Sequence, residues 1–365
     1  MLNIGLIHGF VGGGGGTEKT LLTIIDFLKE KKHNVTLYSF SKPSIPITGI
    51  KLKYILPFHL PFFGLYQRYY EKNLIKKTEK DDLIINASGG LVSSDNPLKQ
   101  IVVYCHSDFQ DELGKKISKY KGLWSLYYKP YSNFIKDLDN LIHNKNIHLI
   151  TNSKFTHDSI KSRYSKSSTV IYPPVNLSEF TKNTSPKENQ IVTVSRFSQE
   201  KNLEFILNVI KDFDGSFTII GNTKTKSNKL YFDKLLAKIN KDGIHHKVNL
   251  LKNTSRQKLV ENLKMSKVYF HSSPETFGIS VIEAIASKCI PIVPDDSAHV
   301  ETVPFKQLRY RPNDINDASA KLQNALEGKF DHLLDPLNKS IQQFDKENFK
   351  SNLENYLSNK LSIKL

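Results

Sequence analysis

Cysteine, arginine and long apolar runs are what this chain has least of, and each shortage excludes something. Cys105 and Cys289 are its only cysteines. Two thiols make no disulfide framework, and no Cys/His cluster carries zinc-ligand spacing, so the chain is expected to be cytoplasmic and to hold no structural metal. No apolar run approaches the ~18 residues of a spanning helix, and Met1 to Ile7 lacks the basic region of a signal peptide. Only six of the 52 cationic residues are arginine, the preferred reader of guanine edges. No zinc-finger or RNA-recognition motif accompanies them, and no nucleic acid is expected as a partner.

What is abundant is lysine, giving a net charge of +16, of which +10 falls on residues 1–185. Such a balance suits an anionic membrane surface or phosphorylated ligands. Tyr54 to Tyr70 holds seven aromatics and is flanked by Lys51, Lys53, Lys72, Lys76 and Lys77. Lys115 to Lys136 likewise interleaves lysine with Trp124, Tyr127, Tyr128, Tyr131 and Phe134. Aromatics beside cations suit an interfacial patch on anionic headgroups. The other reading places the aromatics in a core, with the lysines as a solvated rim.

A chain of 365 residues is long enough for two domains, each with its own core. Short apolar strands at Asn3 to Ile7, Val35 to Ser39, Leu83 to Asn86, Ile101 to His106, Leu149 to Thr151 and Val170 to Tyr172 alternate with helical segments, as a parallel doubly wound sheet requires. Polar Asn176 to Gln190 reads as the linker. A second series follows at Ile191 to Val194, Ser216 to Ile220, Val248 to Leu251, Lys267 to His271 and Ile290 to Val293. The expected division is residues 1–180, 181–343 and a terminal helical stretch, 344–365, with Phe349, Leu353 and Leu357 in register. Two α/β domains of this kind would face each other across a cleft.

Glu275 and Glu283 stand eight positions apart around a Phe277-Gly278 turn, directly after a strand. A helix opening near Gly278 points free N–H groups at the crevice, which suits a phosphate, while Gly278 lets backbone approach closely. Glu283, one to two turns in, could accept ribose hydroxyls, and Glu275 would reach the ligand's other end. Plain helix electrostatics is the alternative. Arg196 and Lys201 follow another strand, and two cations near a helix start can hold a diphosphate and stabilise a departing nucleotide.

The glycine run Gly12 to Gly16 follows the first strand but matches neither a Walker loop nor Gly-x-Gly-x-x-Gly, because Thr17-Glu18-Lys19 stands where each motif needs something else. His106 closes an apolar strand and opens into Ser107-Asp108.

These pieces resemble glycosyltransferase family 4, whose members are retaining enzymes of the GT-B fold. The resemblance is carried by Glu275-x7-Glu283, the glycine-rich start, Tyr104-Cys105-His106, Asn152 to Thr156, Tyr172-Pro173-Pro174-Val175, Ser195-Arg196-Phe197 with Glu200-Lys201-Asn202, and Ile219-Ile220-Gly221, in the family's order along nearly the whole chain. It implies catalytic roles for His106, Arg196, Lys201 and Glu275, and donor contacts from Gly14, Gly15, Phe277, Gly278, Ile279 and Glu283. It implies a nucleotide diphosphate sugar of the GDP-mannose or UDP-glucose type as donor, no metal or other cofactor, and a terminal helix that returns to the first domain. The motif wording is most similar to mannosyltransferases of lipid-linked glycan assembly, which implies a lipid-linked or saccharide acceptor at an anionic, cytoplasmic membrane face. Asp295 to His299 departs from the family's Gly-Gly turn. A nucleotide-sugar epimerase or a non-catalytic scaffold of the same fold would share parts of this pattern.

Overall fold

The computed structural model describes residues 1–12, 14–58, 67–90, 99–109, 141–181, 186–211, 213 and 215–363. The second aromatic-lysine segment lies outside these residues, as do residues 59–66 of the first; strand Lys51–Leu56 and helix Gln67–Lys77 are described, with Tyr54 and Phe58 exposed. The chain divides into two compact units, Met1–Pro174 with Glu347–Leu365, and Val175–Lys346.

The first unit is built on seven parallel strands: β1 (Asn3–Ile7), β2 (Asn34–Ser41), β3 (Lys51–Leu56), β4 (Leu83–Asn86), β5 (Gln100–Cys105), β6 (Ile147–Thr151) and β7 (Thr169–Val170). Their order is β3-β2-β1-β4-β5-β6-β7. A parallel sheet is covered on both faces, and the strand sequences divide accordingly. Ile4, Leu6, Val102 and Tyr104 pack beneath Leu21, Ile24 and Leu28 of helix Gly16–Glu30, whereas Ile7, Ile84, Ile101 and Val103 face Leu74, Ile142 and Ile160. The terminal helix Lys346–Asn355 and the π turn Tyr356–Lys360 add Phe349, Leu353, Tyr356 and Leu357 to the first of these faces. Each such side chain contributes roughly 1.5–3 kcal/mol on full burial.

The second unit repeats the pattern with β8 (Glu188–Val194), β9 (Ser216–Gly221), β10 (Val248–Lys252), β11 (Ser266–Phe270), β12 (Ile290–Pro294) and β13 (Arg309–Tyr310), in the order β10-β9-β8-β11-β12-β13 and parallel throughout. Both are doubly wound, Rossmann-like sheets. In each, the order reverses once, at β1/β4 and at β8/β11, and the loops leaving those paired strands open the crevice where such sheets bind ligands.

The boundary falls between Pro174 and Val175, earlier than the polar composition of 176–190 suggests. Val175 N–H donates to the Phe344 carbonyl at 2.9 Å, and the Lys346 N–H returns to Val175 at 3.1 Å. Ser178–Thr181 is helical with Phe180 buried, and β8 already begins at Glu188. The segment therefore belongs to the second unit. Phe344, expected to open the terminal helical stretch, ends the preceding 3-10 turn instead and meets Phe277 edge to face at 5.2 Å.

Candidate active site

In the second unit, the loops after β8 and β11 meet at the reversal of strand order. Lys201 ends the 3-10 turn Gln199–Lys201, and its ammonium pairs with Glu275 Oε1. His271, the first residue past β11, donates from Nε2 to the same oxygen at 3.0 Å. Ser272 Oγ donates to the Lys201 carbonyl at 2.7 Å, fastening one loop to the other. The main chain of Glu275 is held as well: its N–H donates to Ser297 Oγ at 3.0 Å, and its carbonyl accepts from Ala298 N–H at 3.0 Å. Burial acts to raise the Glu275 pKa, but the His271 hydrogen bond and the Lys201 charge outweigh it, and the carboxyl is held far below the usual carboxylate range.

Helix Ile279–Ala286 starts here. Its N-cap is Gly278, at φ 87°, where a Cβ would press on Val281 Cγ2 at 3.3 Å, so glycine suits both the dihedral and the space. No side chain caps the helix, and the first-turn N–H groups of Ile279 and Ser280 have no intrahelical acceptor. Phe277 is buried against Phe344. Glu283 lies in this helix with 3% exposure, and its Oε1 accepts from Arg256 Nη2 at 2.9 Å. Arg256 also makes a two-pronged pair with Glu179 at 2.8 Å and 2.8 Å, its guanidinium 4.9 Å from the Phe180 ring.

Arg196 and Lys201 pair with different carboxylates. Lys201 is turned inward to Glu275, whereas the Arg196 side chain is 61% exposed and lies 3.5 Å from Glu200 Oε1.

In the first unit, His106 directly follows β5, and its Nε2 donates to the Ala87 carbonyl at 2.9 Å just beyond β4. Burial lowers its pKa to about 4, with the Ala87 bond opposing and His8 assisting. His8, directly after β1, is 7% exposed, and neither ring nitrogen has a hydrogen-bond partner among the described residues. Gly12, at φ 131°, gives its N–H to buried Glu18 at 2.6 Å; Gly14 and Gly15 then lead into helix Gly16–Glu30, with open space around Gly15. Asp108 is taken up internally by Ser159, Tyr164 and Arg163. Ser153 caps helix Lys154–Tyr164, and Asn152 donates to the His106 carbonyl, so that motif is architectural.

Two family models tile the chain along this division, "Glycosyltransferase Family 4" over residues 14–179 and "Glycosyl transferases group 1" over residues 175–346. The chain is a family 4-like glycosyltransferase. The O-antigen chain mannosyltransferase RfbU of Salmonella typhimurium is 26% identical to this glycosyltransferase over 217 residues, 58% of this chain and 59% of that protein. The match thus spans less than two thirds of the relative's length. Among solved structures, Anabaena HepE in complex with UDP and glucose superposes with a TM-score of 0.77 at 15% identity, covering 98% of this chain and 100% of that one. Sucrose-phosphate synthase of Thermosynechococcus elongatus does so at 0.77 and 16%, covering 99% and 100%. At such identities these two structures attest to the GT-B fold.

Three residues of the glycosyltransferase site carry no signal in a spacing argument. Arg256 opens a helix far from the Glu pair in sequence, His271 reads as the tail of a strand, and Ser297 belongs to the loop that departs from the family's turn. The one usable signal was scarcity: an arginine in so lysine-rich a chain marks a place where a planar fork is needed.

Proposed function

We propose that this enzyme is a retaining hexosyltransferase, mannose being favoured over glucose, that moves the sugar from a nucleotide diphosphate donor to a hydroxyl of a lipid-linked glycan or glycolipid. The observation that carries this is Glu275, tied at Oε1 by Lys201 and His271 while its side chain stays 20% exposed beside an uncapped helix start. A carboxylate so held accepts hydrogen bonds from sugar hydroxyls, and the neighbouring N–H groups of Ile279 and Gly278 suit the diphosphate. Glu283, one oxygen fixed by Arg256, takes the ribose hydroxyls. As the glycosidic bond breaks, negative charge grows on the leaving diphosphate, and Lys201, Arg196 and the helix start stabilise it in the role a metal ion would otherwise fill. The acceptor attacks the oxocarbenium-like centre from the leaving group's face. In the first unit, taken by itself, His106 offers a ring N–H or acceptor to sugar hydroxyls and the Gly14-Gly15 loop offers main-chain N–H groups to phosphate.

Mannose is favoured because RfbU is described as a mannosyltransferase and because of the motif wording of the first unit. A membrane-facing acceptor rests on the basic, aromatic segments. No helix among the described residues is long and apolar enough to cross a membrane, so contact would be peripheral. The test is a thermal-shift panel of nucleotide sugars on wild type and Glu283→Gln, followed by an assay for nucleotide release. One nucleotide sugar should stabilise the wild type selectively, Glu283→Gln should blunt the shift, and release should require lipid acceptor. Absence of any selective shift would contradict the assignment; sugar inversion without acceptor would make the protein an epimerase.

A further inference from the structure

We propose that His271 is a positioning residue for sugar recognition: it fixes Glu275 so that a single carboxylate oxygen, Oε2, is offered to one hydroxyl of the donor hexose. The inference rests on the donor-site reading above and adds how that site tells a nucleotide sugar from a bare nucleotide.

Glu275 Oε1 is shared by Lys201 Nζ and His271 Nε2, whereas Oε2 has no partner among the described residues. Lys201 alone would not set the carboxylate's orientation. An ammonium is a point charge on a flexible stem, and a diphosphate arriving nearby competes for it. His271 is a stiffer anchor. Its ring is 2% exposed and stacks on Tyr269 at 6.0 Å and 13°. Its N–H donates to the Ile292 carbonyl at 3.0 Å, and its own carbonyl accepts from Tyr310 OH at 2.7 Å.

The proton is directed too. Tyr269 OH lies 3.1 Å from His271 Nδ1 and 2.8 Å from Ser280 Oγ. Tyr269 OH also lies 3.3 Å from the Val194 carbonyl, which only accepts; what fixes the ring is Glu275 itself, since an ionised carboxylate can only accept and Nε2 must carry the hydrogen donated to Oε1. Together with the Ser297 and Ala298 main-chain bonds, this leaves Glu275 neither backbone nor Oε1 freedom. His271 is buried behind the carboxylate and touches the sugar only through it.

The experiment is calorimetric titration of full-length wild type, His271→Phe and His271→Gln with UDP-glucose, GDP-mannose, UDP and GDP. For the sugar nucleotide that wild type prefers, His271→Phe should bind ~10-fold more weakly, the size of one lost charge-assisted hydrogen bond, while the matching bare diphosphate binds within twofold of wild type. His271→Gln, which keeps an N–H donor, should recover most of the loss. Tyr269→Phe should shift the same ratio in the same direction by less, and it serves if His271→Phe does not fold. Equal weakening of sugar nucleotide and bare nucleotide, or no weakening of either, would overturn the inference. A wild type that binds UDP or GDP but gains nothing from the sugar would also overturn it while leaving nucleotide binding intact. A wild type that binds none of the four would overturn the donor-site reading, and this inference with it.

Discussion

At the β8/β11 reversal the second unit gathers fixed charge: Lys201 on Glu275, and Arg256 on Glu283. At the equivalent β1/β4 reversal the first unit offers, among the described residues, two imidazoles, buried His8 and half-buried His106, both lowered to about 4 chiefly by burial, and a glycine loop pinned by Glu18. The same strand order thus makes two crevices with different chemistry. Paired charges with one open carboxylate oxygen suit an anionic diphosphate carrying hydroxyls. Neutral rings, each able to donate and accept, suit hydroxyl groups alone. Topology provides the opening, and the residues just past the strand ends decide what enters it.

That contrast breaks most visibly at Lys201. Lys201→Ala removes the cation nearest the Glu275 oxygen and should lower kcat by roughly 10²-fold with a smaller change in donor KM. Arg196→Ala, out on the surface, should cost less than ~10-fold, because an exposed cation acts through solvent. Steady-state kinetics on both variants checks the order; equal losses would mean that the two cations converge when donor is present.

Next in size is Arg256. Removing it takes the guanidinium away from Glu283 in a nearly buried position and from Glu179, and Arg256→Ala should destabilise the second unit by about 2–4 kcal/mol, below the ceiling for a fully buried pair because Arg256 itself is partly exposed. Chemical denaturation should show a weakened transition for one unit and an unchanged one for the other. An unaltered second-unit transition would show the network to be ornamental.

Smallest is the pH effect. Burial lowers His8 to about 4 in the first unit and His299 to about 3 in the second. Both stay neutral in the folded state at pH values where an unfolded histidine, near 6.5, takes a proton. Their contribution is therefore complete above pH 6.5 and is lost as pH falls toward 4, at up to about 1.4 kcal/mol per pH unit for each group. Glu275 is shifted in the same direction but from the ordinary carboxylate value, so its contribution is lost only as pH falls below that range. His8→Asn should flatten the slope of the first unit between pH 6.5 and 4.5 and leave the second unchanged, as denaturation at stepped pH would show.

The sheets were legible because their strands are short, β-branched and apolar, bounded by glycine, proline and asparagine. β1 and β4 begin and end where the sequence places them. β3 escaped because it is an edge strand whose Lys51, Leu52 and Lys53 are all exposed, leaving no buried face to give an alternating signal. β13 is only two residues long. In the site, Glu275, Gly278 and Glu283 were legible from spacing around one turn. Lys201 was legible, but its inward course was not, since the choice between diphosphate and Glu275 depends on a loop folded from elsewhere. Arg256 shows the limit best. In the sequence, arginine scarcity speaks to external partners, yet Arg163, Arg256 and Arg309 are each spent on internal carboxylates. A contact made by residues 77 apart in sequence, as Arg256 and Glu179 are, has no periodicity to read.

In the proposed function the donor sits at the β8/β11 reversal of the second unit with its sugar against Glu275. Hydrogen–deuterium exchange on the full chain, with and without the nucleotide sugar that stabilises it most, tests this directly. Added protection at 195–202 and 272–283, lost from the 272–278 stretch when bare nucleotide replaces the sugar nucleotide, is the expected result. Protection confined to 8–18 and 86–107, with the second unit unchanged, would contradict it.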